Sequence, residues 1–288
     1  MRILVLGAGK MGSFFTDLLS FKHDVAVLDC DRQRLRFVYN CCRFATYEEV
    51  KEFKPQLLIN CVTLSQTVCA FNSVLPYLPC DCIISDIASV KTELQDFYEN
   101  SGFRYASVHP MFGPTFANLG NLQNENAIII NQPCSASSVM LCNEGNGCKS
   151  VQHAECGSAT GRGTDGEGTD FFRELFGLLK LNVREYTFKE HDEVVAYSLS
   201  IPFASTLVFG SVMKHQEVPG TTFKRHLSIA RGLLGEDDYL LTEILFNPNT
   251  PARLEEITDK LQLLSDIVKR RDAKGMKSFL DRVRENLK

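Results

Sequence analysis

The hexapeptide Gly7-Ala8-Gly9-Lys10-Met11-Gly12 follows a short aliphatic run, Arg2 to Leu6, and opens a helix-length segment, Met11 to Ser20. This G-x-G-x-x-G pattern between strand and helix constrains the fold more than any other feature. Gly7 is expected to allow a tight turn, Gly9 to let the backbone approach a pyrophosphate, and Gly12 to let the helix pack on the strand, while the helix N-terminus offers N–H groups to the anion. A second run, Val25 to Leu28, completes a strand–helix–strand unit. Asp29 ends that run seventeen residues after Gly12, where a carboxylate can accept hydrogen bonds from both hydroxyls of a ribose and repel a 2′-phosphate. NAD is therefore favoured over NADP, although Arg32 and Arg34 keep NADP as a minority reading. Asp29 also reads as a turn residue ahead of the next helix, a role that Asp31 fills equally well. Lys10 and Met11 belong to the cofactor loop as surface and packing residues, and Val62 and Thr63, at the end of the Leu57 to Val62 run, are counted with the cofactor contacts.

Further apolar runs at Leu57 to Val62, Cys82 to Ser85, Tyr105 to Val108 and Ala127 to Ile130 alternate with helix-length stretches. They imply a doubly wound, mainly parallel α/β sheet of the Rossmann type with both faces covered. The stretch from Gln132 to Gly168 breaks the pattern with seven Gly, five Ser and no aromatic residue, and is expected to be a flexible insertion. Phe171 to Leu179 then reads as a helix and Asn182 to Tyr186 as a closing strand, giving a first domain over residues 1–188. From 189 to 288 strand-like runs vanish, and apolar residues recur at helical spacing, as in Leu254, Ile257, Leu261, Leu264 and Ile267. This second domain reads as all-helical, with Thr250 before Pro251 as a helix start. Tyr197 to Met213 is apolar on nearly every side, so that helix is expected to be buried on several faces, in part against a second copy of the chain. A homodimer through the helical domain follows.

With 44% hydrophobic and 23% charged residues the chain is not disordered, and 31 basic against 35 acidic side chains give a net charge of -4. No basic tract is long enough to coat a phosphate backbone, so neither nucleic acid nor an anionic membrane is expected as a partner. No signal peptide is read and no stretch reaches eighteen uninterrupted apolar residues, so a cytoplasmic protein is expected. The eleven cysteines are an odd number in a long chain and read as reduced thiols. Cys134, Cys142, Cys148 and Cys156, with His153 nearby, contain no C-x-x-C pair, and no metal site is expected.

Ligands in such sheets bind outside the carboxyl ends of the strands. Two segments lie there: Asp86-Ile87-Ala88-Ser89-Val90-Lys91, and His109-Pro110-Met111-Phe112-Gly113-Pro114-Thr115. Pro110 forces His109 out of the helical region and holds it extended. A histidine at the cofactor edge can take a proton from a hydroxyl as hydride leaves the same carbon. By itself His109 reads equally as a structural histidine, and Ser89 reads first as a helix cap.

The combined motifs resemble the prephenate dehydrogenase family, which includes arogenate dehydrogenases. They are the glycine hexapeptide, Asp-Ile-Ala-Ser-Val-Lys, His-Pro-Met-Phe-Gly-Pro, and a His191-Asp192 pair with Ala196-Tyr197 opening the helical domain. The resemblance implies oxidative decarboxylation of prephenate to 4-hydroxyphenylpyruvate with hydride transfer to NAD, on the route to tyrosine. It implies that His109 contacts the ring hydroxyl and assists its deprotonation, and that Ser89 orients the same hydroxyl and the nicotinamide. It also implies a cation for the substrate carboxylates from the segment Thr222 to Arg231, where Lys224, Arg225 and Arg231 are the candidates; each reads equally as part of a solvated basic face. Thr115 and His191 complete the expected substrate contacts. The chain departs from the family pattern at Phe203, where many members carry histidine, and at Thr115, where some carry an acidic residue. No mutase or regulatory extension is expected. Prephenate and arogenate are not distinguished. Rival readings are another two-domain dehydrogenase or reductase, such as a β-hydroxyacid dehydrogenase or a pyrroline-carboxylate reductase, and a non-catalytic NAD-sensing module.

Overall fold

The structure, a computed structural model, describes residues 1–112, 122, 123, 125–132 and 164–288. The chain divides into two units, Met1–His191 and Asp192–Lys288. In the first, strands β1 (Arg2–Leu6), β2 (Asp24–Leu28), β3 (Cys42–Phe44), β4 (Leu57–Asn60), β5 (Ile83–Asp86), β6 (Arg104–Pro110), β7 (Asn126–Ile130) and β8 (Asn182–Tyr186) form one sheet in the order β3-β2-β1-β4-β5-β6-β7-β8. All neighbours are parallel except β6 and β7, which run antiparallel. Helices α1 (Lys10–Leu19), α2 (Tyr47–Phe53), α3 (Thr67–Val74), α4 (Leu94–Ser101) and α5 (Gly166–Leu178) connect the strands.

Strands β1, β4 and β7 are buried apart from the exposed first residues Arg2 and Asn126, and apolar apart from these and Asn60, as a sheet covered on both faces requires. Helix α1 buries Gly12, Phe15, Thr16 and Leu19, a single stripe at helical spacing. Strand order reverses between β1 and β4, so the carboxyl ends of β1, β2, β4 and β5 open on a crevice of the kind where such sheets bind ligands.

Strand β3 has no counterpart in the sequence reading, because three residues with two of them exposed leave no periodicity to detect. Helix α5 begins five residues before the expected Phe171. Asp165 accepts a hydrogen bond from Gly168 N at 3.0 Å, which caps the helix, and pairs with Arg104 at 2.7 Å. Gly168 packs so closely that an added methyl would stand 2.9 Å from Ala106 and from Ile83. The expected insertion is therefore shorter at its C-terminal end, and 133–163 lie outside the described residues, as do Cys134, Cys142, Cys148, His153 and Cys156. Its flanks are joined, with Thr164 N donating to Gln132 O at 3.0 Å.

Helix α6 (Phe188–Val195) leads into the second unit, which contains α7 (Ile201–Val212), α8 (Thr221–Leu233), α9 (Asp238–Leu245), α10 (Thr250–Arg270) and α11 (Ala273–Asn286). Between α6 and α7 the backbone relaxes into a π turn over Ala196–Ser200, ahead of Pro202, whose nitrogen cannot donate a helical hydrogen bond. Thr250 does not cap α10. Its hydroxyl is buried and bonds Ser200 Oγ at 2.9 Å, tying α10 to the π turn, while Ser200 Oγ donates to Ile244 O at 2.9 Å. Helix α7 is less covered than its composition suggests, because Ala204 is the buried residue it contributes while Val208 and Val212 stand 56% and 71% exposed. By length and composition the run Phe188–Val212 is apolar enough to cross a bilayer, although α9 and α10 pack on its π turn.

Candidate active site

Gly7 has φ +89°, and a methyl built on it would meet the Cys61 carbonyl at 3.1 Å and Val62 N at 3.2 Å. Only glycine fits there. A methyl on Gly12 would lie 1.9 Å from the Gly7 carbonyl oxygen, so α1 can sit on β1 only without a side chain at this position. Gly9, in contrast, faces open space, with nothing within 4 Å of an added methyl. It occupies the N-cap of α1, no side chain caps that helix, and the first turn carries no acidic residue. A bare helix N-terminus beside a glycine with free space fits a pyrophosphate. Lys10 is exposed on the first turn, and Met11 packs against the core.

Asp29 is buried at the end of β2. One carboxylate oxygen accepts from Ala8 N at 2.6 Å and the other from Asp31 N at 2.7 Å, so it binds the glycine loop to the turn that follows. Each carboxylate oxygen has two acceptor sites, which leaves capacity for a ribose. The residue thus performs its turn role in a position that suits the cofactor role as well. Val62 lies against Gly7, and Thr63 starts a short 3₁₀ turn after β4.

His109 sits inside β6, one residue further into regular structure than expected, paired in register with Ile128. It is 5% exposed. Its Nδ1 lies 3.0 Å from Nε2 of His191, which is fully buried. Beneath this pair, Lys91 Nζ forms a fully buried ion pair with Asp86 and donates to Val108 O at 2.8 Å. The Tyr98 hydroxyl donates to the other Asp86 oxygen at 2.6 Å, and Ala88 N to the first at 2.9 Å. Burial, then the neighbouring His191 and the Lys91 cation, hold His109 well below the ordinary histidine pKa. Burial and Lys91 push His191 down to about 3, against a smaller opposing effect of Asp86. Both imidazoles are therefore neutral near pH 7. A neutral, buried imidazole at a strand end can accept a proton from a ligand hydroxyl.

Ser89 is half-buried in the loop after β5 and does not cap α4, whose N-cap residue is Glu93. Lys224, Arg225 and Arg231 are exposed on α8. Thr115 lies outside the described residues. His191, grouped by sequence with the substrate contacts, has its Nε2 engaged by His109. Asp86, Lys91 and Tyr98 carry no role in the sequence reading. The available signal was the spacing alone, Lys91 five residues after Asp86, an aspartate that ends a strand.

The eight-stranded, mainly parallel sheet with its dinucleotide-type crevice and the helical second unit have the fold of the prephenate and arogenate dehydrogenases. Prephenate dehydrogenase from Aquifex aeolicus, solved with hydroxyphenyl propionate and NAD+, superposes with a TM-score of 0.73 at 17% identity, covering 99% of this chain and 96% of that one. Arogenate dehydrogenase from Synechocystis gives 0.68 at 15% identity, covering 99% and 98%. A protein of Methanocaldococcus jannaschii named "Probable arogenate/prephenate dehydrogenase" is 20% identical over 237 residues, 77% of this chain. The chain spans about half the length of that relative, 46%. No protein-family model matches the chain.

Proposed function

We propose that the protein is an NAD-dependent dehydrogenase of the prephenate/arogenate type, that it oxidatively decarboxylates prephenate to 4-hydroxyphenylpyruvate, and that it works in the cytoplasm as a homodimer. The observation that carries the reading is His109, held extended and neutral at the carboxyl end of β6 and two strands from the strand-order reversal. Nicotinamide, when bound, accepts the hydride from the ring carbon that bears the hydroxyl. His109 Nε2 takes the hydroxyl proton as hydride leaves. It returns the proton to the ring oxygen as carbon dioxide departs and the ring becomes aromatic, so no net proton is released. Gly7, Gly9, Gly12 and Asp29 hold the dinucleotide, with Lys10, Met11, Val62 and Thr63 around it. Ser89 and Thr115 orient the substrate, and Lys224, Arg225 and Arg231 supply cations for its two carboxylates.

The test is reduction of the cofactor by the purified protein with prephenate and with arogenate, each with NAD and with NADP. Turnover with prephenate and NAD is expected. Turnover with arogenate alone would move the substrate assignment, and turnover with NADP alone would overturn the role of Asp29. Retained NAD binding with no turnover by any pair would discard the enzyme reading in favour of an NAD-binding module. His109→Ala should lower kcat by about 10² to 10⁴-fold, the range general acid–base catalysis supplies, while NAD binding is retained.

A further inference from the structure

We infer that His191 is a positioning residue that fixes which ring nitrogen of His109 carries the proton, leaving Nε2 of His109 as a bare acceptor. This rests on the reading of His109 as the proton acceptor. The two imidazoles meet Nδ1 to Nε2 at 3.0 Å, and a contact between two neutral rings contains one proton. If His191 donated it, His109 would carry its own proton on Nε2 and could not take another from a hydroxyl. If His109 donates from Nδ1, its Nε2 keeps a lone pair, and that nitrogen has no hydrogen-bond partner among the described residues. A neutral imidazole accepting from the base then does what a carboxylate does in a catalytic triad.

A carboxylate at this position would attract a proton strongly. A second imidazole, instead, orients the base without adding charge beside it. The titratable groups around the pair are Asp86 on β5, Lys91 in the loop after β5, Tyr98 on α4 and Tyr105 on β6. Asp86 and Lys91 form their own ion pair, and Tyr98 donates to that aspartate. His191 is therefore the group that directly contacts the Nδ1 edge of His109. The backbone supports this arrangement, because His191 N donates to Thr187 O at 2.9 Å within the first turn of α6, and Phe188 in the same turn stands 6.4 Å from Tyr105, ring centre to ring centre.

The decisive measurement is nitrogen-15 NMR of the full chain with labelled histidine, the His109 resonances being assigned by their loss in His109→Ala. The expected result is a neutral His109 protonated on Nδ1 and bare on Nε2 across pH 6 to 8. A His109 protonated on Nε2 overturns the inference whatever the activity, and the tautomer is read in the unsubstituted chain, with His109→Ala used only for assignment. His191→Leu should give a mixture of tautomers and lower kcat about 10²-fold with KM little changed. His191→Gln, whose side-chain oxygen can replace the accepting nitrogen, should recover most of that loss. An unchanged tautomer in His191→Leu overturns the inference. A protein inactive with both substrates refutes the enzyme reading, while the tautomer measurement still decides the role of His191.

Discussion

At the residue scale, Gly12 and the histidine pair show two kinds of dependence on close packing. Gly12→Ala would drive a methyl into the Gly7 carbonyl, and overpacking of this kind costs about 1 to 3 kcal/mol. Urea denaturation should show that loss together with weakened NAD binding. Gly9→Ala, with open space around it, should leave stability within about 1 kcal/mol and affect only the cofactor. The histidines bear on pH dependence. His191 has its pKa lowered from 6.5 to about 3, and His109 is also lowered, so below pH 6.5 the unfolded chain binds protons that the folded one refuses. Their stability contribution is present above pH 6.5 and is lost as pH falls from there toward 3. Each neutral histidine adds about 1.4 kcal/mol per pH unit to that slope. Urea midpoints between pH 7 and pH 5 should fall accordingly, and His191→Gln should show a shallower slope; an equal slope would remove His191 as a source of the acid sensitivity.

At the element scale, α4 and the segment before it carry the buried charge. Tyr98 presents its hydroxyl to Asp86 from the buried side of α4, and Lys91 its ammonium group from the loop that leads into it. Lys91→Met removes one partner of a fully buried pair and leaves Asp86 uncompensated, which costs about 3 to 5 kcal/mol. Tyr98→Phe removes one hydrogen bond to a charged group, about 1.5 to 3 kcal/mol. Thermal or urea unfolding orders the two, and a Lys91→Met protein as stable as the parent would show that the pair is not buried in solution. The sequence showed Asp86 and Lys91 only as flanks of Ser89. Their partnership depends on a turn after β5 that brings residues five apart face to face, and helical or strand periodicity does not encode such a turn. The same limit explains Thr250, whose hydroxyl and following proline read as a cap. Contact with Ser200, fifty residues away, takes the hydroxyl inward instead.

At the scale of the whole molecule, the apolar side of α7 predicts association. Val208 and Val212 are exposed on α7, with Tyr197 on the turn before it 62% exposed, and a second copy of the chain is the proposed cover. Sedimentation should give twice the mass of one chain, and Val208→Asp should shift it toward one; a monomeric parent would refute the dimer, and flotation with lipid vesicles would point to a bilayer as the cover. By itself the sequence determined the doubly wound sheet, the glycine loop, the place of Asp29 and the position of His109, because each is set by residues near one another in the chain. Alternating runs define strands, glycines permit turns that other residues cannot make, and a proline fixes the residue before it. Only the tertiary structure decided that His191 lies against His109, eighty-two residues away, over a buried Lys91–Asp86 pair. Such contacts arise when the sheet brings the ends of β5 and β6 together beside the start of α6, and burial there changes what each ionisable side chain can do.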